Sequence, residues 1–210
     1  MQILVLADDP PHPAQIARMG LGALGDHDFR FDWVEDGNAP ITDQLSAYPV
    51  VVLVKANHIS STNKQPWMTP EIADALRDHV RAGNGLLALH SGTAGYKETP
   101  VLRDLLGGLF VHHPKQCLVT VEPQAGHPLT TGSLPFTEVD EHYFMEMTGE
   151  PVDCFLQTTS DHGSQPGGWT RSEGAGRVCV LTPGHNVEVW LNPGFQALLR
   201  NGLQWCAKLI

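Results

Sequence analysis

The sequence predicts an α/β protein of 210 residues, built on a parallel sheet. In the first half, strand-like apolar runs alternate with amphipathic stretches, which is typical of parallel strands joined by right-handed crossovers. After Gly108 the chain changes to strand-like pieces with few helical intervals, so the second half is expected to be richer in β-structure. Because no repeat, low-complexity tract or linker interrupts the chain, one domain over residues 1–210 is expected.

The first segments read as strand, helix and strand. QILVLA is a short buried-strand run, and AQIARMGLGAL after the loop DDPPHP has helical periodicity. FRFDWVED alternates like a half-buried strand, and ITDQLSAY is predicted to be a short helix or turn. The β-branched run PVVVLVKA, residues 49–56, indicates a central parallel strand.

The clearest helix is predicted to begin after Thr69. Thr69 suits an N-cap, Pro70 fits the first turn, and Glu71 suits the positive end of the helix dipole. Residues 83–85, Gly-Asn-Gly, should end this helix before the strand LLALH, and TPVLRDLLG opens another helix. The strand-like pieces LFVHHP, QCLVTVEP, FTEVDEHYFMEM, DCFLQTTSD and RVCVLTPGH then precede a last helix at about Pro193–Lys208.

Charge and composition exclude several functions. A formal net charge of -10 without any basic run argues against nucleic-acid or anionic-membrane partners. The glycines of GLGALG lie at a helix C-terminus, so no nucleotide cofactor is expected. The opening segment lacks a signal-peptide pattern, and the four cysteines sit alone in apolar runs as expected for buried thiols. We therefore expect a cytoplasmic location, and leave a homo-oligomer open.

Polar residues gather where the predicted strands end. Parallel sheets bind ligands beyond the carboxyl ends of their strands, and histidines occupy several of those positions. The candidates at or near strand ends are His12, His58, His90 with Ser91, His113, Asp140, Glu141 and His185. Asp140 and Glu141 would point to opposite faces of one strand, and the sequence leaves open which faces inward. His27, His79, His127 and His162 are assigned no functional role.

The chemistry of these residues allows a metal. No HExxH, HxH or CxxC spacing is present, but a site assembled from strand ends requires no local motif. A divalent metal is therefore a candidate cofactor whose ligands the sequence does not identify.

Several segments together resemble the trehalose-utilisation, or ThuA-like, family. They are PPHPAQIARMGLGAL, VRAGNGLLALHSGTAGY, GGLFVHHP, VDEHYF and GRVCVLTPGHNVEVWLNPGFQALLRNGLQW. The resemblance implies a flavodoxin-like fold, similar to class I glutamine amidotransferases, with helices on both faces of the sheet. It places His90 where an amidotransferase carries its cysteine nucleophile and Gly92 at the glycine that follows. Covalent glutamine chemistry is therefore excluded at this corner.

The resemblance also implies a role in sugar catabolism, with disaccharides or 3-keto-sugars as substrates. The leading hypothesis is histidine acid–base chemistry, as in a sugar lyase or hydrolase, with His90, His185 and Glu141 catalytic. The ligand would be bound by His12, His58, Ser91, His113 and Asp140. Trp67, Tyr96 and Trp169 could stack on a sugar face, although core packing is the more common use of an aromatic side chain. The alternatives are a non-catalytic sugar-binding or regulatory module on the same scaffold, and a metallohydrolase.

Overall fold

A nine-stranded mixed sheet forms the centre of the molecule, and a separate pair, β5 and β8, packs beside it. The computed structural model describes residues 1–25 and 27–210. The strand order of the large sheet is β2-β1-β3-β4-β11-β10-β9-β6-β7. The strands are β1 Gln2–Ala7, β2 Arg30–Val34, β3 Val50–Val54, β4 Gly85–Leu89, β5 Gly108–His112, β6 Cys117–Pro123, β7 Phe136–Asp140, β8 Phe144–Met147, β9 Asp153–Ser160, β10 Gly163–Glu173 and β11 Gly176–Leu181.

The large sheet divides into a parallel and an antiparallel half. Strands β2, β1, β3, β4 and β11 pair in parallel. Strands β10, β9, β6 and β7 continue the sheet through antiparallel pairs that begin at β11. The predicted fold class, a flavodoxin-like α/β sheet with a β-rich second half, is thus confirmed, and the antiparallel extension accounts for the change of pattern after Gly108.

Four of the five α-helices in the described residues lie close to their predicted positions, whereas the short helix Val187–Leu191 was not predicted. The five helices are α1 Ala14–Gly22, α2 Pro70–Arg81, α3 Pro100–Leu106, α4 Val187–Leu191 and α5 Pro193–Cys206. The Thr69 side chain accepts a hydrogen bond from the Ile72 backbone N–H at 3.3 Å, as its N-cap role requires. ITDQLSAY forms two short 3-10 turns. The last helix ends before Lys208 because that residue has a left-handed backbone, with φ of 60°.

The central parallel strands β3 and β4 are apolar throughout because helices cover both of their faces. On β1, Ile3 and Val5 pack on the side of α1 and α5, whereas Leu4 and Leu6 pack on the side of α2 and α3. Successive side chains of a strand point to opposite faces, so a continuous apolar run supplies both cores. Among the described residues, no helix combines the length and apolar character that crossing a membrane requires.

The structure decides the roles of several aromatic and cysteine side chains. Trp67, Tyr96 and Trp169 are 3%, 0% and 0% exposed, so they form core contacts and present no face to a sugar. Cys179 and Cys206 are buried thiols as predicted, but Cys117 is partly exposed and Cys154 is exposed. Both lie on strands of the antiparallel half, β6 and β9, which carry exposed as well as buried positions and are not covered on both faces.

Candidate functional site

Four side chains converge beyond the carboxyl ends of the sheet. His12 follows β1, His90 follows β4 and His185 follows β11, and these strands lie in the parallel half, where their ends share one edge. Glu141 follows β7, the edge strand of the antiparallel half. One nitrogen of each imidazole and one Glu141 oxygen all lie within 4.8 Å of one another. We call these residues the His-Glu cluster.

His90 stands at a constrained corner between β4 and α3. Its backbone is left-handed, with φ of 42°, which is uncommon for a residue that has a Cβ. The following turn packs tightly on β3, since a Cβ on Gly92 would overlap the Leu53 carbonyl oxygen. His90 Nδ1 lies 2.8 Å from the Thr182 carbonyl oxygen, which can only accept a hydrogen bond. Nδ1 therefore carries the hydrogen, and Nε2 of the neutral ring presents a lone pair to the cluster.

His12 is oriented in a similar way by a carboxylate. Its Nδ1 lies 2.8 Å from Oδ1 of the fully buried Asp9, whose other oxygen accepts the Ala56 N–H. Burial would raise the pKa of Asp9, but its hydrogen bonds with His12 and Ala56 lower the pKa below its usual value. Burial would lower the pKa of His12, yet the Asp9 and Glu141 carboxylates raise it to about 9. Without a bound cation, the two carboxylates thus favour the positively charged form of His12, with a proton on both ring nitrogens.

Glu141 is the anionic centre of the cluster. Its Oε2 lies 3.5 Å from His90 Nε2 and 3.8 Å from His12 Nε2, and its Oε1 lies 3.2 Å from His185 Nδ1. Burial would raise the pKa of Glu141, but the surrounding imidazoles hold it far below its usual range. Glu141 is therefore an ionised carboxylate, which can bind a cation or accept hydrogen bonds at the site.

Asp140 faces the loop after β11. Its Oδ2 accepts the Gly184 N–H at 2.8 Å, and its Oδ1 accepts the N–H groups of His185 at 2.8 Å and Asn186 at 3.4 Å. Asp140 and Glu141 both turn toward the site because β7 ends at Asp140, and strict alternation ends with it. Asp140 holds the His185 backbone in place instead of pointing into the cluster.

The other predicted site residues occupy different positions. His113 is 35% exposed at the rim, with Nε2 3.5 Å from Glu141 Oε1 and Nδ1 bonded to the Pro114 carbonyl. Ser91 is buried beside His90, and its Oγ has no hydrogen-bond partner within the described part of the chain. His58 follows β3, but it is not among the side chains that the structure brings together around Glu141.

A family model described as ThuA, trehalose utilisation, matches residues 7–206. The chain belongs to the ThuA family. A comparison with curated proteins finds no match.

Solved structures share the fold of this ThuA-family protein. A ThuA-like protein of Parabacteroides merdae has a TM-score of 0.78 at 19% identity, covering 99% of this chain and 90% of that one. A ThuA-like protein of Bacteroides uniformis has a TM-score of 0.72 at 20% identity, with coverages of 98% and 91%. A cytoplasmic protein of Salmonella typhimurium has a TM-score of 0.68 at 15% identity and covers 98% of each chain.

Two contributors to the site of this ThuA-family protein were not identified from the sequence. The Tyr143 ring stacks on His90, with centroids 4.0 Å apart and planes 26° apart, and contacts Phe110 on its other side. The only signal in the sequence is alternation along the strand, which puts Tyr143 on the same face as Glu141. Asp9 was visible only as an acidic residue after β1, and its pairing with His12 depends on the loop conformation.

The His-Glu cluster can bind either a polar ligand or a cation. Three nitrogens, His12 Nε2, His90 Nε2 and His185 Nδ1, are buried without a hydrogen-bond partner among the described residues. Buried polar atoms in native proteins are generally satisfied, so these nitrogens point to a group that binds between them. Three imidazoles and one carboxylate are also a common donor set for divalent transition metals.

Proposed function

We propose that this protein is an enzyme of carbohydrate metabolism that transfers a proton at the carbon beside a sugar ketone, with a 3-keto-disaccharide as substrate. The proposal combines the trehalose-utilisation family with one observation, the convergence of unpartnered imidazole nitrogens around Glu141. A ketone acidifies the adjacent C–H bond, and a base near neutral pKa suits its removal.

The His-Glu cluster supports binding of the substrate oxygens. As the proton leaves carbon, its electron pair moves toward the carbonyl oxygen, which becomes anionic. Preorganised donors or a cation at that oxygen stabilise the charge. His90 and His185 are held by Thr182 and Asp140, and because the His90 Nε2 lone pair accepts rather than donates, these rings are positioned to hold such a cation.

His113 is the better candidate for the base. The sequence-based hypothesis assigned proton transfer to His90, but His90 is 1% exposed and packed against Tyr143. His113 is 35% exposed, and its Nδ1 is bonded to the Pro114 carbonyl, which leaves the Nε2 lone pair free to accept a proton. In a lyase reaction, the electron pair released from C–H forms a carbon–carbon double bond, the glycosidic C–O bond breaks, and the departing oxygen takes up a proton.

A cytoplasmic location is part of this proposal. All four cysteines of the chain are free, as a reducing compartment would keep them. The structural neighbour from Salmonella is itself described as a cytoplasmic protein.

Deuterium exchange tests the proposal directly. In D₂O, we expect the protein to replace the hydrogen on the carbon beside the ketone of a 3-keto-disaccharide with deuterium, which NMR detects. The parent disaccharide, which has no ketone at that position, should remain unchanged. His113→Gln should reduce exchange about 100-fold or more, as removal of a general base does, whereas the exposed His162→Gln should exchange normally. Sugar binding without exchange or product would contradict the enzyme proposal and support the binding-module alternative.

A further inference from the structure

We infer that His12, His90, His185 and Glu141 together bind one divalent transition-metal ion. The inference extends the proposed function, and only its catalytic meaning rests on that proposal. Binding of the ion itself is argued from the geometry of the cluster and the chemistry of its donor atoms.

The separations in the cluster fit ligands around an ion. Metal–ligand bonds of about 2.0–2.2 Å place neighbouring donor atoms roughly 3.0–3.6 Å apart in octahedral or tetrahedral geometry. Glu141 Oε1 lies 3.2 Å from His185 Nδ1 and its Oε2 lies 3.5 Å from His90 Nε2, both within this range, whereas Oε2 lies 3.8 Å from His12 Nε2, slightly beyond it. Only the His185 distance falls within the hydrogen-bond range of about 2.7–3.2 Å, so the carboxylate does not accept direct hydrogen bonds from all three rings.

Two of the imidazoles are hydrogen-bonded through the nitrogen that faces away from the cluster, which orients the other nitrogen toward a bound ion. Metal-binding histidines usually donate their second N–H to a carboxylate or a backbone carbonyl, which fixes the tautomer and ring orientation. His12 has Asp9 in this position and His90 has the Thr182 carbonyl, each at 2.8 Å. His90 is 1% exposed, so its inward lone pair lies beyond the reach of bulk water.

The donor set indicates the class of ion. Neutral imidazoles suit zinc, iron, nickel, copper and cobalt, whereas calcium and magnesium prefer oxygen ligands alone. A cavity of about 10 Å³ adjoins His12, His90, Ser91 and His185. That volume is close to the minimum that holds one water molecule.

Such an ion would act as a Lewis acid for a ketone or hydroxyl oxygen of the sugar. Around it, this chain's own residues have separate tasks. Glu141 supplies the negative charge, Asp9 and Thr182 orient two of the rings, and His113 stays outside the ligand set with its Nε2 free.

The test uses the full chain, stripped with a chelator and titrated with Co²⁺. We expect one equivalent to bind, with visible absorption bands from cobalt, confirmed by calorimetry and by elemental analysis after dialysis. Glu141→Gln should weaken Co²⁺ binding at least 100-fold. The positioning variant Asp9→Asn should weaken it 10- to 100-fold while retaining one equivalent. His162→Asn is the matched control, because His162 is an exposed histidine and should leave binding unchanged.

Thermal unfolding of each metal-free variant shows whether it is folded before its affinity is compared. Less than 0.2 equivalents bound by the wild type, or wild-type affinity in Glu141→Gln, would overturn the inference. Metal binding without C–H exchange would contradict only the proposed function. Full exchange activity in a protein proven metal-free would contradict the catalytic role of the ion but leave proton transfer intact.

Discussion

Replacing Asp140 with Asn changes the support of His185 and leaves every cluster side chain present. The Asp140 carboxylate is 2% exposed and accepts three backbone N–H groups from residues 184–186, two of them at 2.8 Å. An asparagine retains one acceptor oxygen and turns an NH₂ group toward at least one of these N–H donors.

The expected cost follows from the bonds that are lost. A hydrogen bond to a charged group contributes about 1.5–3 kcal/mol, and a buried donor without a partner costs about 1–3 kcal/mol. Because these contributions overlap, we expect Asp140→Asn to lower the free energy of unfolding by about 3 kcal/mol. Displacement of His185 should also weaken Co²⁺ binding about 10- to 100-fold.

Urea unfolding at equilibrium measures the first effect, and Co²⁺ titration of the folded variant measures the second. The matched control is Asp161→Asn, since Asp161 is exposed and its side chain has no hydrogen bond among the described residues. The control should change stability by no more than about 0.5 kcal/mol. An Asp140→Asn protein as stable as this control, with unchanged cobalt affinity, would refute the reasoning.

Three further predictions concern the corner, the proton and the ion. Gly92→Ala should lower the free energy of unfolding in urea by about 3 kcal/mol, because the new Cβ would overlap the Leu53 carbonyl oxygen. Gly22→Ala is the control: no heavy atom lies near the new Cβ, so this variant should be neutral or slightly stabilising. Burial would lower the pKa of His12, but the carboxylates of Asp9 and Glu141 raise it from 6.5 to about 9. Protonated His12 therefore stabilises the folded metal-free protein, and this stabilisation should be complete below pH 6.5. The free energy of unfolding should fall by on the order of 3 kcal/mol between pH 6.5 and 9 as His12 loses its proton. An equal fall in the free energy of unfolding of His12→Gln, measured over the same pH range in urea, would contradict the assignment. Co²⁺ at 100 times its Kd should stabilise the wild type by about 2.7 kcal/mol in thermal unfolding, and no shift at that excess would show that the ion does not prefer the folded state to the unfolded chain.

Local signals in the sequence were sufficient for most of the secondary structure. The N-cap at Thr69 and the apolar run of β3 depend on interactions between near neighbours or on burial of a whole strand, so both were readable from the residues. The antiparallel order of β10, β9, β6 and β7 depends on pairing between distant segments. The sequence therefore indicated a β-rich second half but did not predict the order or direction of its strands.

The candidate site divides in the same way. The sequence identified the histidines at the strand ends, because parallel strands bring their carboxyl ends to one edge. It did not distinguish His12, which joins the cluster, from His58, which does not, since loop conformation decides where each ring points. Trp67, Tyr96 and Trp169 were equally ambiguous, and the structure buries all three.

By itself, the sequence determined the α/β class, the acidic charge, and the position of His90 at the corner after β4. Only the tertiary structure decided that Glu141, from an edge strand four places beyond β11, meets that corner. The physical reason is that this meeting depends on long-range contacts. The Asp140 carboxylate binds the backbone of a loop more than forty residues away, and no local pattern of residues encodes that contact.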